Sequence, residues 1–460
     1  MKPQHITVIG AGPVGSLTAI YLAQRGYQVS VFEKRPDMRN SNISAGRSIN
    51  LALANRGIHP LNEVGLMDKI EKMLIPMNGR MVHDIQGNTN FQAYGQREHE
   101  VIYSISRGEL NKLLMNEAQA TGSVDIHFCE AVTDIDFEQK TVSFTNENSG
   151  ETTTHPFELL IGADGSGSIV RKAIHQQLGS KEHSEDGPFN RFDQLGHSYK
   201  ELCIPAGKDK NFLIEKKALH IWPRGEYMLI ALPNLDGSFT VTLFLPNEGE
   251  NSFAELTTEE SVTAFFKEQF ADALAVIPTL AEDFFANPTG HLATVRCDPW
   301  HHANNTLLIG DAAHGIVPFH GQGMNCGFED AGVLNQILDK FADNEHDNWE
   351  NVFAEYAAER QPNGNAIADL ALDNYIEMRS SVADPKYLLK KELAFELEKR
   401  HPDHFIPRYS MVMFHLLPYA DAQRRGVIQN EILNELTANA TEVAEVDMDL
   451  ADKLIGERLM

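Results

Sequence analysis

A chain of 460 residues, 42% hydrophobic and 23% charged, carries enough apolar material for roughly two to four packed domains, which excludes a disordered polypeptide. Acidic residues outnumber basic ones 65 to 39, and the resulting net charge of −26 repels polyphosphate and anionic lipid, so nucleic acid is not the expected partner. An anionic ligand would have to be caught by local donors such as helix N-termini, glycine-rich turns or single arginines. Cys129, Cys203, Cys297 and Cys326 form no CxxC pair, which suits a reducing, cytoplasmic setting rather than a disulfide framework. A strand starts within five residues of Met1 and no run of 18 apolar residues occurs, so the expectation is a soluble protein without a cleaved signal or membrane span.

The first predicted elements are a strand (HITVIG), a glycine turn, a helix (VGSLTAIYLAQRG) and a second strand (QVSVFEK), a βαβ unit suited to a parallel sheet. Gly10, Gly12 and Gly15 have GxGxxG spacing between strand and helix, and Glu33 ends the next strand. Such glycines allow a tight turn and close approach of backbone to a pyrophosphate, while the acid accepts a ribose hydroxyl; this predicts a dinucleotide with a free ribose, NAD or FAD. Ser106-Arg107-Gly108-Glu109 has capping-box spacing ahead of the amphipathic helix LNKLLMNEAQA. The strand ELLIGADG leads through Asp164, Gly165, Ser168 and Arg171 into a second helix, and TLLIGDAAHG leads into a third, MNCGFEDAGVLNQILDKFAD.

Between these, residues 198–245 read as short strands (YKELCI, ALHIWP, YMLIAL, SFTVTLF) with intervening turns, an inserted and largely antiparallel sheet. After about residue 345 the pattern becomes helical and ends in an acidic helical tail. The stretch GDAAHGIVPFHGQGMN, residues 310–325, raises two readings. Asp311, His314 and His320 are metal-ligand types, but no second cluster of Cys or His completes a shell. The other reading is a glycine-rich loop that wraps a cofactor, and it is the one that the resemblance described next implies.

The three motifs, in this order, resemble the fingerprints of the single-component flavoprotein aromatic hydroxylases, and GRSINLALANRG (46–57), NGRMVH (78–83), LHIWPRGEYMLIALPN (219–234), VPFHGQGMN (317–325), LDNYIEMRS (372–380) and FIPRYSMV (405–412) closely resemble the kynurenine 3-monooxygenases within that class. The resemblance implies bound FAD, NADPH as a transient co-substrate, O₂, and hydroxylation of L-kynurenine at C3, beside the ring amine. It implies an α/β fold: a Rossmann-like FAD-binding domain (1–72, 102–178 and 295–373), an inserted, largely antiparallel β-sheet substrate domain (73–101 and 179–294) and a C-terminal helical domain (374–460). Eukaryotic members carry a C-terminal membrane segment; the acidic tail departs from that pattern, so an anchor is not expected.

By the same resemblance, the cofactor residues are Gly10, Gly12, Val14, Gly15, Phe32, Glu33, Lys34, Arg35, Ala52, Arg107, Asp164, Asp311, Pro318, Gly323, Met324 and Asn325. Arg80 is the candidate anchor for the substrate carboxylate, since a guanidinium binds a carboxylate through two parallel hydrogen bonds; a surface ion pair is the alternative. Tyr94, Asn374 and Tyr409 match the family's other polar contacts. Met228, Ile230 and Leu232 alternate onto one strand face as an apolar wall, and Met378 lies one turn after Asn374 on a helix. Pro318, Phe319 and His320 are expected on the flavin side of the ring. Phe239 either completes the slot or packs in the core. No catalytic base is required, because the ring amine activates the carbon without losing a proton; His320 is the one residue kept in view for a catalytic part. A hydroxylase of another aromatic acid and a non-catalytic flavin-binding redox sensor are the alternatives.

Overall fold

The strands HITVI and QVSVFE are buried at most positions, the pattern of a sheet covered on both faces, and they pair in parallel with Ile6 beside Val29 and Val8 beside Val31. The computed structural model describes residues 4–40, 50–183, 187–341 and 348–459. Residues 46–49 of the GRSINLALANRG stretch lie outside them. His5–Ile9 also pairs in parallel with Leu159–Gly162, which pairs in parallel with Thr306–Leu308. Val124–Phe128 extends the sheet on one side and His301–His302, antiparallel, closes the other, making six strands. The three glycine motifs therefore leave the carboxyl ends of three adjacent parallel strands, where open α/β sheets bind their ligands. These elements lie in the first of two compact units, Met1–Met73, Ile105–Leu195 and Ala293–Ala368. A three-stranded antiparallel sheet, Glu130–Asp136, Thr141–Asn146 and Thr152–Pro156, was not anticipated from the sequence.

The second unit comprises Leu74–Ser104, Gly196–Leu292 and Asp369–Met460. Its seven-stranded sheet includes the expected strands Ala218–Pro223, Met228–Pro233 and Phe239–Pro246, which pair antiparallel. Gly79–His83 joins them in parallel beside Ala218–Pro223, with Arg80 opposite Leu219. One face of this sheet, carrying Leu229, Ala231, Phe239, Val241 and Leu243, packs on Val262, Phe266, Phe270 and Phe284 from the helices that follow. Met228, Ile230 and Leu232 alternate to the other face, as expected. The helices Pro385–Arg400, Arg408–Met413, Tyr419–Leu436 and Met448–Arg458 follow, and Leu393, Leu397, Phe405, Ile432 and Ile455 form an apolar cluster there. The sequence set 374–460 apart as a domain of its own; in the structure these helices group with the sheet in one compact unit.

Candidate active site

In the first unit, the glycines of the GxGxxG turn serve three different needs. Gly10 turns the chain at a φ of 102°, and a Cβ there would sit 2.5 Å from the Ala163 carbonyl oxygen. A Cβ on Gly15 would collide with the Gly10 carbonyl oxygen, whereas a Cβ on Gly12 would meet nothing within 4 Å. That opening lies at the start of helix Pro13–Gln24, which has no side-chain cap, so its first-turn dipoles face a space suited to phosphate.

Glu33 is buried; its Oε2 accepts the Ala11 amide at 3.0 Å, and Arg35 donates to both oxygens at 2.7 and 3.2 Å. Burial would raise the Glu33 carboxyl, but the Arg35 contacts outweigh it and hold it below its usual value. The Arg35 side chain is 59% exposed, so a ribose hydroxyl has a weak, solvent-screened pair to displace. Phe32 stacks between His127 and Phe144 at 4.7 and 4.1 Å, and its carbonyl accepts the Gly10 amide at 2.8 Å. Of the expected Phe32–Arg35 run, the Phe32 side chain therefore packs inside, and Lys34 is exposed.

Asp164 Oδ2 accepts the Ile169 and Val170 amides at 2.7 and 3.3 Å, capping that helix, while its buried Oδ1 has no hydrogen-bond partner among the described residues. Burial pushes the Asp164 carboxyl up. Arg171 donates 2.8 Å to the Ala312 carbonyl and so ties this motif to the glycine-rich turn at 310–325. Arg107 is exposed at the start of helix Arg107–Ala120. Ser106 caps that helix, accepting the Glu109 amide at 3.4 Å, but Glu109 pairs with Lys112 at 2.9 Å, so half of the expected capping box forms. An open helix start, an orphaned carboxylate oxygen and an acid at the ribose position fit FAD.

At the third motif, Gly310 adopts a φ of 61° and Asp311 opens the one-turn helix Asp311–His314. Asp311 is accessible yet ringed by protein; that burial raises its carboxyl, against the pull of His314 and Arg107. It lies beside the start of helix Gly323–Lys340, which also lacks a side-chain cap. Asn325, expected at the cofactor ring, is fully buried and its amide is spent inside the protein: it accepts the Ala54 amide at 2.9 Å and donates to the carbonyls of Ala52 and Gly321 at 2.8 and 2.7 Å. It therefore shapes the wall, with Ala52 attached, and leaves any contact to backbone and to the half-buried Met324. Pro318–His320 forms a short 3₁₀ turn with Phe319 and His320 buried and Pro318 exposed.

The inner side of this turn answers the metal alternative. Ligand atoms of His314, Cys326 and Asp330 lie within 4.8 Å of one another. Yet Arg360 donates to Asp330 Oδ1 at 2.7 Å and to Cys326 Sγ at 3.3 Å, and the Gly310 amide takes Asp330 Oδ2 at 3.0 Å. A guanidinium thus occupies the coordinating face, and this is an ion-pair cluster rather than a cation site. Asp311 and His320 are not part of it.

The second unit gathers four of the predicted substrate residues around Arg80, which is 3% exposed. Its Nη1 donates 2.8 Å to Glu377 and its Nη2 donates 3.4 Å to Asn374, while Nε has no hydrogen-bond partner among the described residues. The guanidinium lies 5.7 and 5.0 Å from the rings of Tyr94 and Tyr409, which stack on each other at 5.1 Å. Asn374 donates to the Met378 sulfur at 3.2 Å. Arg80 is thus ion-paired, as its alternative reading has it, but buried rather than at the surface. Burial would raise the Glu377 carboxyl, but Arg80 and Arg408 hold it down at about 2. Tyr387 donates to Glu377 at 2.7 Å, and Lys391 is pushed down to about 8 by burial and by Arg80. Glu377, Tyr387 and Lys391 were missed. Glu377 was findable three residues after Asn374 on the same helix face, whereas nothing in the sequence ties the next helix to Arg80. Of its two expected places Phe239 takes the core, not the slot: it is fully buried on the opposite sheet face, against Phe212 and His220, because its register puts it with Ala231 and Val241.

Residues 4–371 match the family model described as an FAD binding domain. Kynurenine 3-monooxygenases are 48% identical to this chain in Myxococcus xanthus, over all of the chain and 96% of that protein, and 42% identical in Legionella pneumophila, over 98% of each. The chain belongs to the kynurenine 3-monooxygenase family. A relative of the same name in Flavobacterium johnsoniae is 46% identical over 94% of this chain and 93% of that protein. The fold is similar to 2-methyl-3-hydroxypyridine-5-carboxylic acid oxygenase, at a TM-score of 0.64 and 19% identity over 86% of this chain and 98% of that one. It is also similar to Pseudomonas aeruginosa PqsL solved with 2-aminobenzoylacetate, at a TM-score of 0.63 and 18% identity over 82% and 97%. No helix among the described residues is long and apolar enough to cross a membrane.

Proposed function

We propose that this protein is an FAD-dependent, NADPH-using monooxygenase that converts L-kynurenine and O₂ to 3-hydroxy-L-kynurenine. The observation that carries the substrate reading is Arg80. Glu377 occupies Nη1, which leaves the Nε and Nη2 edge with one orphaned donor and one long bond, a fit for two parallel hydrogen bonds to a carboxylate. The rings of Tyr94 and Tyr409 lie 5.7 and 5.0 Å from the guanidinium carbon, and Asn374 accepts from Nη2. Met228, Ile230 and Leu232 supply an apolar strand face for an aromatic ring. Bound FAD, reduced by NADPH, supplies the oxygen-transferring chemistry. The chain's own part is to bind the amino-acid end, to hold the ring carbon in place and to exclude water. Asp311 and the helix starts at Pro13 and Gly323 would hold the cofactor, with Glu33 at its ribose. Four cysteines that form no disulfide suit a cytoplasmic location.

The test is NADPH oxidation by FAD-loaded protein with and without L-kynurenine, with products separated in the same samples. 3-Hydroxykynurenine appearing in step with NADPH consumed is expected. Acceleration with hydrogen peroxide as the sole product would make kynurenine an effector and point to another aromatic acid; no acceleration would leave a flavin-binding protein without this activity.

A further inference from the structure

Behind the glycine-rich turn lies a group of buried charges for which the reading above has no use. Asp330 accepts from His314 Nε2 at 2.5 Å, from the Gly310 amide at 3.0 Å and from Arg360 Nε at 2.7 Å. Glu329, one residue earlier, pairs with Arg360 at 2.8 Å and with Arg56 at 2.6 Å. Arg56, His314, Asp330 and Arg360 are each at most 4% exposed. The His314 ring is further held flat against Trp300 at 5.0 Å.

Arginine keeps its charge at any pH at which a protein stays folded. Burial would discharge His314, but the Asp330 carboxylate outweighs it and holds the imidazole well above its ordinary value. Asp330 is held down at about 2 against the same burial, by His314 and Arg360. Within the paired network three cations, Arg56, His314 and Arg360, face two anions, Glu329 and Asp330, in a dry environment where charges act strongly; Asp311, whose carboxyl feels both His314 and Asp330, is the acid that faces the network from the cradle. The His314 imidazole sits directly behind the cradle. His314 ends the one-turn helix that Asp311 begins, and Asp330 grips the amide of Gly310.

We propose that His314 is a positioning residue for the cofactor: its buried imidazolium, fixed by Asp330, biases the cradle toward negative charge and raises the reduction potential of bound FAD. The inference rests on the flavoprotein reading. A network that only tied helices together would have no preference between oxidised and reduced flavin; a fixed charge does.

The experiment measures FAD uptake by the purified protein and then the potential of the bound flavin by spectroelectrochemistry. His314→Gln keeps a donor toward Asp330 and removes the charge; the reduced form should lose about tenfold in relative stability, about 30 mV for a two-electron couple. Glu329→Gln removes an anion from between two arginines that cannot discharge, so its potential should rise. Shifts of opposite sign are expected of charge. Shifts of the same sign, or none in a variant that holds FAD, overturn the proposal. If His314→Gln does not fold, the Glu329→Gln shift and ¹⁵N NMR of the unaltered protein decide: a His314 ring protonated on both nitrogens at neutral pH is expected, and a neutral tautomer overturns it. Wild-type protein that takes up no FAD would instead sink the flavoprotein reading, before any variant is measured.

Discussion

Arg80 would be a costly buried charge without Glu377, and Glu377 without Arg80 would keep only the longer pair to Arg408 at 3.8 Å. Arg80→Ala should destabilise the protein by about 3–5 kcal/mol, as is usual for breaking one side of a buried pair, and Arg80→Met with Glu377→Met should recover most of that loss. Thermal denaturation of the single and double variants checks it; a single variant as stable as the wild type would mean the pair is solvated. Acid should act on the same contact. The unfolded chain takes up a proton at Glu377 near its ordinary value of 4.5, while the folded chain refuses it until about 2. The stabilisation is therefore complete above about pH 4.5 and drains away as pH falls toward about 2. Glu377→Gln should flatten that part of the stability profile, read as melting temperature between about pH 5 and about pH 3; an unchanged slope would assign the acid sensitivity to other carboxylates.

At the scale of elements, the three strand-to-helix turns make predictions that differ glycine by glycine. Gly12→Ala has room for its methyl group, so the protein should fold normally and bind FAD at least tenfold more weakly, about 1.4 kcal/mol, because the methyl group takes the space a pyrophosphate needs. Gly15→Ala drives its methyl group into the Gly10 carbonyl and should lower stability itself by about 1–3 kcal/mol. Flavin titration and melting of the apoproteins separate the two, and equal behaviour would remove the distinction. These turns were legible because glycine spacing, a following helix and a terminal acid are all local in sequence. The alternation of Met228, Ile230 and Leu232 was legible for the same reason. Phe239 was not, since its face depends on the register against Pro233. Tyr387 and Lys391 were hidden because their helix is placed by long-range packing. Asn325 was named from the motif, but no local pattern says that its amide is consumed by Ala52, Ala54 and Gly321.

For the molecule as a whole, each compact unit is assembled from three stretches of chain that alternate along the sequence. A fragment of residues 1–195 lacks the strand Thr306–Leu308 that borders Leu159–Gly162, so it should show no cooperative melting transition in calorimetry; a sharp transition would mean the remaining strands suffice. The parallel pairing of Gly79–His83 with Ala218–Pro223 has a consequence in time. The segment bearing Arg80 leaves the ribosome long before its neighbouring strand, and at about 5–20 residues per second the wait is on the order of ten seconds. During synthesis the segment presents an open strand edge and a cation still without Glu377, so for that interval it is open to pairing with other chains.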